Sequence, residues 1–118
     1  MTVKLRFAPS PTGKLHVGNA RTALVNYLFC KSKNGEMLLR IDDTDQERSK
    51  PEYEKSIKED LNWLGIFWEK TDRQSSRLKN YNDALQHLFD IGRAYRCYET
   101  QEEPVSYTHL RAHETVVY

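Results

Sequence analysis

Residues 3–41, VKLRFAPSPTGKLHVGNARTALVNYLFCKSKNGEMLLRI, decide the fold. The stretch opens with strict alternation of apolar and charged residues over 3–7, a period of two that is typical of a strand. Prolines and small polar residues over 9–13 then predict a loop. A helix that ends at Asn34-Gly35 is predicted next, because apolar residues recur at helical spacing at Ala20, Ala23, Leu24, Tyr27 and Leu28. The nearly continuous apolar run over 37–41 predicts a second strand covered on both faces, so that strand, helix and strand form a βαβ unit of a parallel sheet.

Further elements are predicted downstream of this unit. Ser49 and Glu52 have the spacing of a capping box, which predicts the start of a second helix that ends at Gly65. The inward-facing residues of this helix are expected to be Tyr53, Ile57, Leu61 and Leu64. Residues 66–68 are expected to form a short strand, and 95–98 to be extended. Between them a third helix, closed by Gly92, is predicted from the apolar stripe of Leu78, Tyr81, Leu85 and Leu88.

Length and composition bound the class of protein. With 118 residues, 38% of them hydrophobic and 30% charged, the chain is one domain or a piece of one and can build a packed core. The formal net charge is only +1, so any anion has to be bound locally. Two cysteines cannot form a disulfide framework, and the sequence shows neither a secretory signal nor an apolar run of bilayer length. We therefore expect a soluble cytoplasmic protein that does not bind membranes.

The loop after the first strand is the expected ligand site. Ligands of parallel α/β sheets gather at the carboxyl ends of the strands, where a helix N-terminus offers free N–H groups to a phosphate. The two common phosphate loops are excluded, because no G-x-G-x-x-G occurs and Gly13-Lys14 is followed by leucine where a Walker loop needs serine or threonine. The loop therefore predicts nucleotide binding of another type.

The sequence PSPTGKLHVGN (9–19), preceded by RFA, resembles the HIGH signature of class I aminoacyl-tRNA synthetases in the form used by the glutamyl enzymes. The likeness continues through ARTAL (20–24), LRIDDTD (39–45), RS (48–49), WLG (63–65) and GRAYRC (92–97). It implies an α/β fold that is the first half of a Rossmann-like parallel sheet with flanking helices, truncated. Residues 1–103 would be the N-terminal part of the catalytic nucleotide-binding domain. Residues 104–118 do not match the family and are predicted to be non-native.

The resemblance also implies site residues. His16 and Gly18 match the catalytic histidine and glycine of the signature, and Asn19 stands where other members have a second histidine. The residues implied for ATP are Ser10, Thr12, His16, Gly18 and Asn19; those for glutamate are Arg6, Ala8, Ser10 and Asp42; and those for the tRNA acceptor end are Thr44, Asp45 and Arg48. Arg6 would pair with the substrate γ-carboxylate as a planar fork of donors. Asp42 would hold the α-amino group, in a position where the family usually has the longer glutamate.

What the resemblance implies about activity is ATP-dependent formation of glutamyl-adenylate and transfer of the glutamyl group to the 3′ end of tRNA(Glu). The implied partners are L-glutamate, ATP and tRNA(Glu), with Mg²⁺ carried by the nucleotide and a monomer as the full-length state. The 118-residue chain alone is expected to be inactive. Two alternatives remain: a glutamyl-queuosine tRNA(Asp) synthetase, which shares this first half, and a non-catalytic nucleotide-binding module.

Other chemistry-bearing residues have plainer interpretations. Asp43 is expected to be a solvated acid at a strand end, and Cys30 to be a packing residue. No zinc site is predicted at Cys97, because no second cysteine follows at ligand spacing. His109 and His113 lack the glutamate that a zinc-protease helix carries after its first histidine. No metal ligands are therefore predicted.

Overall fold

The computed structural model describes residues 1–98, Thr100 and 115–117, and the chain divides into two compact units, Met1–Arg77 and Leu78–Tyr118. The first unit contains β1 (Lys4–Phe7), α1 (Val17–Ser32), β2 (Glu36–Ile41), α2 (Pro51–Trp63), β3 (Lys70–Arg73) and a 3₁₀ turn (Gln74–Arg77). The second contains α3 (Leu78–Asp90), β4 (Ala94–Arg96) and β5 (Thr115–Val117). Among the described residues, each helix falls short of the length and hydrophobicity that a membrane span requires.

Three parallel strands in the order β1-β2-β3 form the sheet of the first unit. In their register Lys4 lies opposite Glu36, and Leu38 lies opposite Lys70. The predicted α/β class and its βαβ unit are thereby confirmed. Because the strands are parallel, the loops that follow β1, β2 and β3 leave the sheet at the same edge.

The core of the first unit is built around the central strand. β2 buries Met37, Leu39 and Ile41 on one face, whereas Leu38 and Arg40 on the other face are half-buried. The predicted cover of both faces is thus complete on one face only. The buried cluster consists of Phe7, Ala23, Cys30, Met37, Leu39, Ile41, Ile57, Leu61 and Ile66. Each fully buried leucine or isoleucine contributes roughly 1.5–3 kcal/mol relative to an exposed side chain.

The face of α1 that packs on the sheet differs from the predicted stripe. Ala23 and Cys30 are buried and Tyr27 packs against the core, but Leu24 and Leu28 are 37% and 57% exposed. The prediction was wrong for these two leucines because the helix is apolar on several sides, so the pattern does not single out one face. The packing role of Cys30 is confirmed, and burial raises the pKa of its thiol.

The capping box predicted at the start of α2 is wrong. Pro51 occupies the first helical position, which makes Lys50 the N-cap, and Lys50 makes no side-chain capping bond. Ser49 therefore lies one residue outside the cap, and its buried hydroxyl has no hydrogen-bond partner within the described part of the chain. The inward face is confirmed at Ile57 and Leu61, which are buried, but the prediction was wrong for Leu64, which is 37% exposed.

The strand predicted over 66–68 is also misplaced. Ile66 is fully buried, and its N–H donates to the Leu61 carbonyl (2.9 Å), so it closes the end of α2 after Gly65, which has a φ of +77°. The strand is instead the polar segment β3, Lys70–Arg73, hydrogen-bonded to β2. β3 lies at one side of the described sheet with a single neighbouring strand, a position that tolerates polar and charged side chains.

The second unit pairs two short parallel strands. α3 confirms the third predicted helix, with Leu85 and Leu88 half-buried but Leu78 and Tyr81 exposed, and Gly92, with a φ of +69°, follows it. β4 covers the first half of the extended segment predicted over 95–98 and pairs with β5. Apart from β5, residues 104–118 lie outside the described residues, as do His109 and His113. The non-native origin of this tail stays a prediction.

Candidate functional site

A cleft of about 420 Å³ opens where β1 ends and α1 begins. Five of the residues predicted for ATP or glutamate line it together: Ala8, Ser10, Thr12, His16 and Asn19. Lys14 and Ile57 also line it, although the sequence analysis implies neither of them in binding ATP or glutamate. Arg6, Gly18 and Asp42 do not belong to the cleft wall.

The two prolines of the loop shape this edge of the sheet. Both Pro9 and Pro11 are buried, and their carbonyls accept hydrogen bonds from other loops. The Asp42 N–H donates to Pro9 (3.0 Å) and the Lys50 N–H donates to Pro11 (3.0 Å). The rigid loop after β1 therefore fixes both the residue that follows β2 and the residue that precedes α2.

His16 caps α1 with its own side chain. Its Nδ1 accepts from the N–H groups of Gly18 (3.2 Å) and Asn19 (3.4 Å). An imidazole whose Nδ1 accepts carries its proton on Nε2, so the exposed ring keeps one N–H donor available. This donor stands at the positive end of the helix dipole, where an anion is favoured.

Gly18 leaves room for this capping ring. A Cβ built at Gly18 would lie 3.1 Å from the His16 Cε1 and 3.2 Å from its Nδ1. Such contacts are tighter than ordinary van der Waals packing, so any side chain here pushes on the imidazole. The absence of a side chain at Gly18 therefore allows the His16 ring to stay in its capping position.

Arg6 is a cation on β1 without a protein partner among the described residues. Its side chain is exposed and has no ion-pair or hydrogen-bond partner among residues 1–98 and Thr100. Lys4, two residues earlier on the same face of the strand, is instead paired with Glu36 (3.2 Å). Of these two cations, Arg6 is the one whose charge is free to meet a ligand.

The residue predicted to hold an α-amino group is already paired. Asp42 accepts from Arg40 through two bonds, Nε to Oδ1 (2.7 Å) and Nη2 to Oδ2 (3.0 Å), and both side chains are half-buried. This bidentate geometry fixes the direction of the carboxylate. Its remaining lone pairs are what a third donor could reach.

The residues predicted to approach the tRNA acceptor end lie in one exposed turn. Asp45 accepts from the Arg48 side chain (2.6 Å) and from the Arg48 N–H (3.2 Å), while Thr44 is exposed. The Arg48 bonds hold the pKa of the Asp45 carboxyl below its usual value. The turn therefore presents a paired Asp45 and Arg48 to solvent.

Beside this turn lies a half-buried polar cluster that the sequence did not predict. Asp43 accepts from the Ser75 N–H (2.9 Å), the Ser75 hydroxyl (2.7 Å) and Arg73 Nη1 (3.4 Å). Arg73 donates two hydrogen bonds to the Glu54 carboxylate, of 2.7 and 2.5 Å. The expectation that Asp43 is merely solvated is wrong, because its side chain is only 13% exposed. No local pattern signals this cluster, since Ser75 is 32 residues from Asp43.

The electrostatics of the cluster stabilise the charged forms. Burial raises the pKa of Asp43, but the hydrogen bonds that its carboxylate accepts, from Ser75 and Arg73 among others, together lower the pKa below its usual value. The bond from Arg73 lowers the pKa of Glu54 against the effect of burial, and Glu54 in turn raises that of Arg73. No group of three or more His, Cys, Asp or Glu side chains in the described residues has the arrangement of a metal site.

Comparison with known proteins gives consistent matches. The family model for class I tRNA synthetases (E and Q), catalytic domain, matches residues 2–114. Glutamate–tRNA ligase 1 of Orientia tsutsugamushi (strain Ikeda) is 58% identical over 102 residues, covering 86% of this chain and 23% of the relative. Glutamate–tRNA ligase 2 of Acidiphilium cryptum is 56% identical over 110 residues, covering 93% of this chain and 25% of the relative.

The chain also matches solved structures of glutamate tRNA ligases. A glutamate tRNA ligase from Elizabethkingia meningosepticum, in complex with its amino acid, is 36% identical with a TM-score of 0.78. The match covers 98% of this chain and 25% of that structure. The chain thus spans about a quarter of the length of the curated relatives and the solved structure that it matches.

Proposed function

Because the chain belongs to the family of class I tRNA synthetase catalytic domains for glutamate and glutamine, we propose that it is the N-terminal part of a glutamate–tRNA ligase. The cleft between β1 and α1 carries the proposal, since Ser10, Thr12, His16 and Asn19 line one cavity at the positive end of a helix. The proposed substrates are L-glutamate, ATP and tRNA(Glu), and Mg²⁺ arrives with the nucleotide to screen its phosphates.

The proposed reaction has two steps. An oxygen of the glutamate α-carboxylate attacks the α-phosphorus of ATP, and the bond from that phosphorus to the oxygen shared with the β-phosphorus breaks. Pyrophosphate departs, and the product is glutamyl-adenylate. A ribose hydroxyl of the terminal adenosine then attacks the acyl carbon and gives its proton to water, and the bond from the acyl carbon to the phosphate oxygen breaks, so that AMP departs. The residues of this chain position the reactants and stabilise charge, the main requirements of nucleotidyl transfer.

The ATP end of the site depends on His16. Its Nε2–H is proposed to donate to the phosphates as negative charge develops on them, while its Nδ1 stays bound to the start of α1. A donor fixed in this way loses little entropy when the nucleotide binds. Ser10, Thr12 and Asn19 supply hydroxyl and amide groups around the same cavity.

Gly18→Ala is expected to raise the KM for ATP by roughly three- to tenfold, because the new Cβ pushes the His16 ring from its capping position. The measurement is ATP–pyrophosphate exchange at varied ATP by the full-length protein, the gene product that contains this chain. Gly13→Ala, in the loop that precedes α1, is the matched control, since a Cβ there meets no atom within 4 Å. Equal KM values for the two variants would remove the proposed role of Gly18.

Asp42→Asn is expected to raise the KM for glutamate about tenfold, because the amide removes the charge that faces the substrate ammonium. Asp42→Glu keeps the charge and is expected to stay within about threefold of the unmodified protein. Initial rates at varied glutamate give both values. An unchanged KM in Asp42→Asn would mean that this carboxylate serves only its pair with Arg40.

The function itself is tested by charging purified tRNA with radiolabelled glutamate, using the full-length protein. Glutamylation of tRNA(Glu) supports the proposal. Glutamylation of queuosine-containing tRNA(Asp) alone would assign the chain to the glutamyl-queuosine enzymes instead. ATP binding without any charging would identify a non-catalytic module. The 118-residue chain by itself is expected to charge none of them.

A further inference from the structure

The polar cluster beside the exposed turn 44–48 links the end of β2 to β3, to the 3₁₀ turn after β3 and to α2. We call it the Asp43 clamp and define it as Asp43, Glu54, Arg73 and Ser75. Asp43 follows β2, Arg73 ends β3 with Ser75 in the 3₁₀ turn after it, and Glu54 lies in the first turns of α2. Both carboxylate oxygens of Asp43 are bound, one by the Ser75 N–H and the other by the Ser75 hydroxyl and Arg73. The acid is therefore fixed in direction as well as in position.

The charges of the clamp hold each other. Glu54 and Asp43 are 14% and 13% exposed, and Arg73, whose side chain is 41% exposed, binds both as their shared cation. Glu54 also accepts from Lys58 (3.0 Å), so the two acids are neutralised by two cations. Hydrogen bonds between charged groups at low exposure are stronger and better oriented than those at the surface.

The clamp is one of two anchors for the turn that carries Thr44, Asp45 and Arg48. At the far end of the turn the Lys50 N–H is bound to the Pro11 carbonyl (3.0 Å). Between the anchors, Thr44 and Arg48 are exposed. A short segment held at both ends reaches a partner in one conformation and loses little freedom on binding.

The residue on the other side of Asp43 does not depend on the clamp. Asp42 is held by its own N–H bond to Pro9 (3.0 Å) and by the two bonds from Arg40. Loosening Asp43 is therefore expected to move the turn that follows it more than the residues before it that are proposed to bind glutamate and ATP.

We propose that Ser75 and Arg73 are positioning residues for the tRNA acceptor end: by holding Asp43 they set the conformation of the exposed turn 44–48. They touch no substrate, and their effect passes through Asp43. The inference deepens the proposed function and rests on it, because the partner of the turn is taken to be the tRNA.

Ser75→Ala removes one hydrogen bond to a charged oxygen and is expected to raise the KM for tRNA by about tenfold. The KM values for glutamate and ATP, and kcat at saturating tRNA, are expected to stay within about twofold. Ser75→Thr keeps the hydroxyl and is expected to restore the KM for tRNA. Arg73→Gln, which removes the shared cation, is the second variant and is expected to raise the same KM.

Thr71→Val is the matched control, since it removes a hydroxyl of β3 that accepts from Trp68 Nε1 (3.0 Å) outside the clamp. Thermal melts of all variants separate loss of folding from loss of tRNA binding. The inference is overturned if Ser75→Ala and Arg73→Gln are folded and leave the KM for tRNA unchanged, or if all three KM values rise together. Failure of the unmodified full-length protein to charge any tRNA would overturn the proposed function as well, so the two failures are distinguishable.

Discussion

Arg6→Ala is expected to lower kcat/KM for glutamate by at least about a hundredfold, through loss of two charge-assisted hydrogen bonds to the substrate γ-carboxylate. The reason lies in how the cations of β1 are used. Arg6 has no partner among the described residues of this chain, whereas Lys4 on the same face is paired with Glu36. A planar guanidinium without a protein partner can receive a carboxylate in a fork-to-fork pair.

Two further variants make the Arg6 test specific. Arg6→Lys keeps the charge but not the fork, and is expected to recover only part of the loss. Lys4→Ala removes a cation two residues away and is expected to leave kcat/KM within about twofold, because an exposed ion pair contributes little. Steady-state glutamylation of tRNA(Glu) by the full-length protein gives all three values. Similar losses in Lys4→Ala and Arg6→Ala would show that net charge, not the fork, is what matters.

His16→Ala is expected to lower the rate of ATP–pyrophosphate exchange by about a hundredfold or more, the usual cost of removing one preorganised donor from developing charge. The same change removes the N-cap of α1, which costs about 1 kcal/mol of stability. The two effects have to be separated, because a frayed helix would also slow the reaction.

His16→Asn separates them. Asparagine is among the best N-caps, so the melting temperature is expected to stay near that of the unmodified protein. Its shorter side chain uses its oxygen as the cap and does not replace the Nε2–H donor. The exchange rate is therefore expected to fall as far as in His16→Ala. A rate restored by asparagine would mean that His16 acts only as a helix cap.

The elements that could be predicted from the sequence are those with a local pattern. The alternation over 3–7 and the apolar run over 37–41 gave β1 and β2, because side-chain period and burial leave a direct trace in composition. β3 left no such trace: its segment, Lys70–Arg73, is polar, and backbone pairing with β2 makes it a strand. The prediction of which face of α1 packs on the sheet failed for the opposite reason, since too many residues of this helix are apolar.

The candidate site divides in the same way. The loop residues around His16 follow one another in the chain, so the sequence could place them together, and the cleft contains them. The pairing of Asp42 with Arg40 and the hold of Ser75 on Asp43 depend on side-chain directions and on parallel strand ends meeting at one edge. Such contacts join residues up to 32 positions apart, and only the folded chain shows them.

The most direct test of the assignment to a glutamate–tRNA ligase is binding of a non-hydrolysable glutamyl-adenylate analogue to the full-length protein, measured by calorimetry beside its glutaminyl counterpart. The glutamyl analogue is expected to bind at least about a hundredfold more tightly, because the charged γ-carboxylate meets Arg6 and the neutral amide cannot form that pair. Arg6→Ala should abolish this preference. Equal binding of the two analogues, or tighter binding of the glutaminyl one, would contradict the assignment to a glutamate–tRNA ligase.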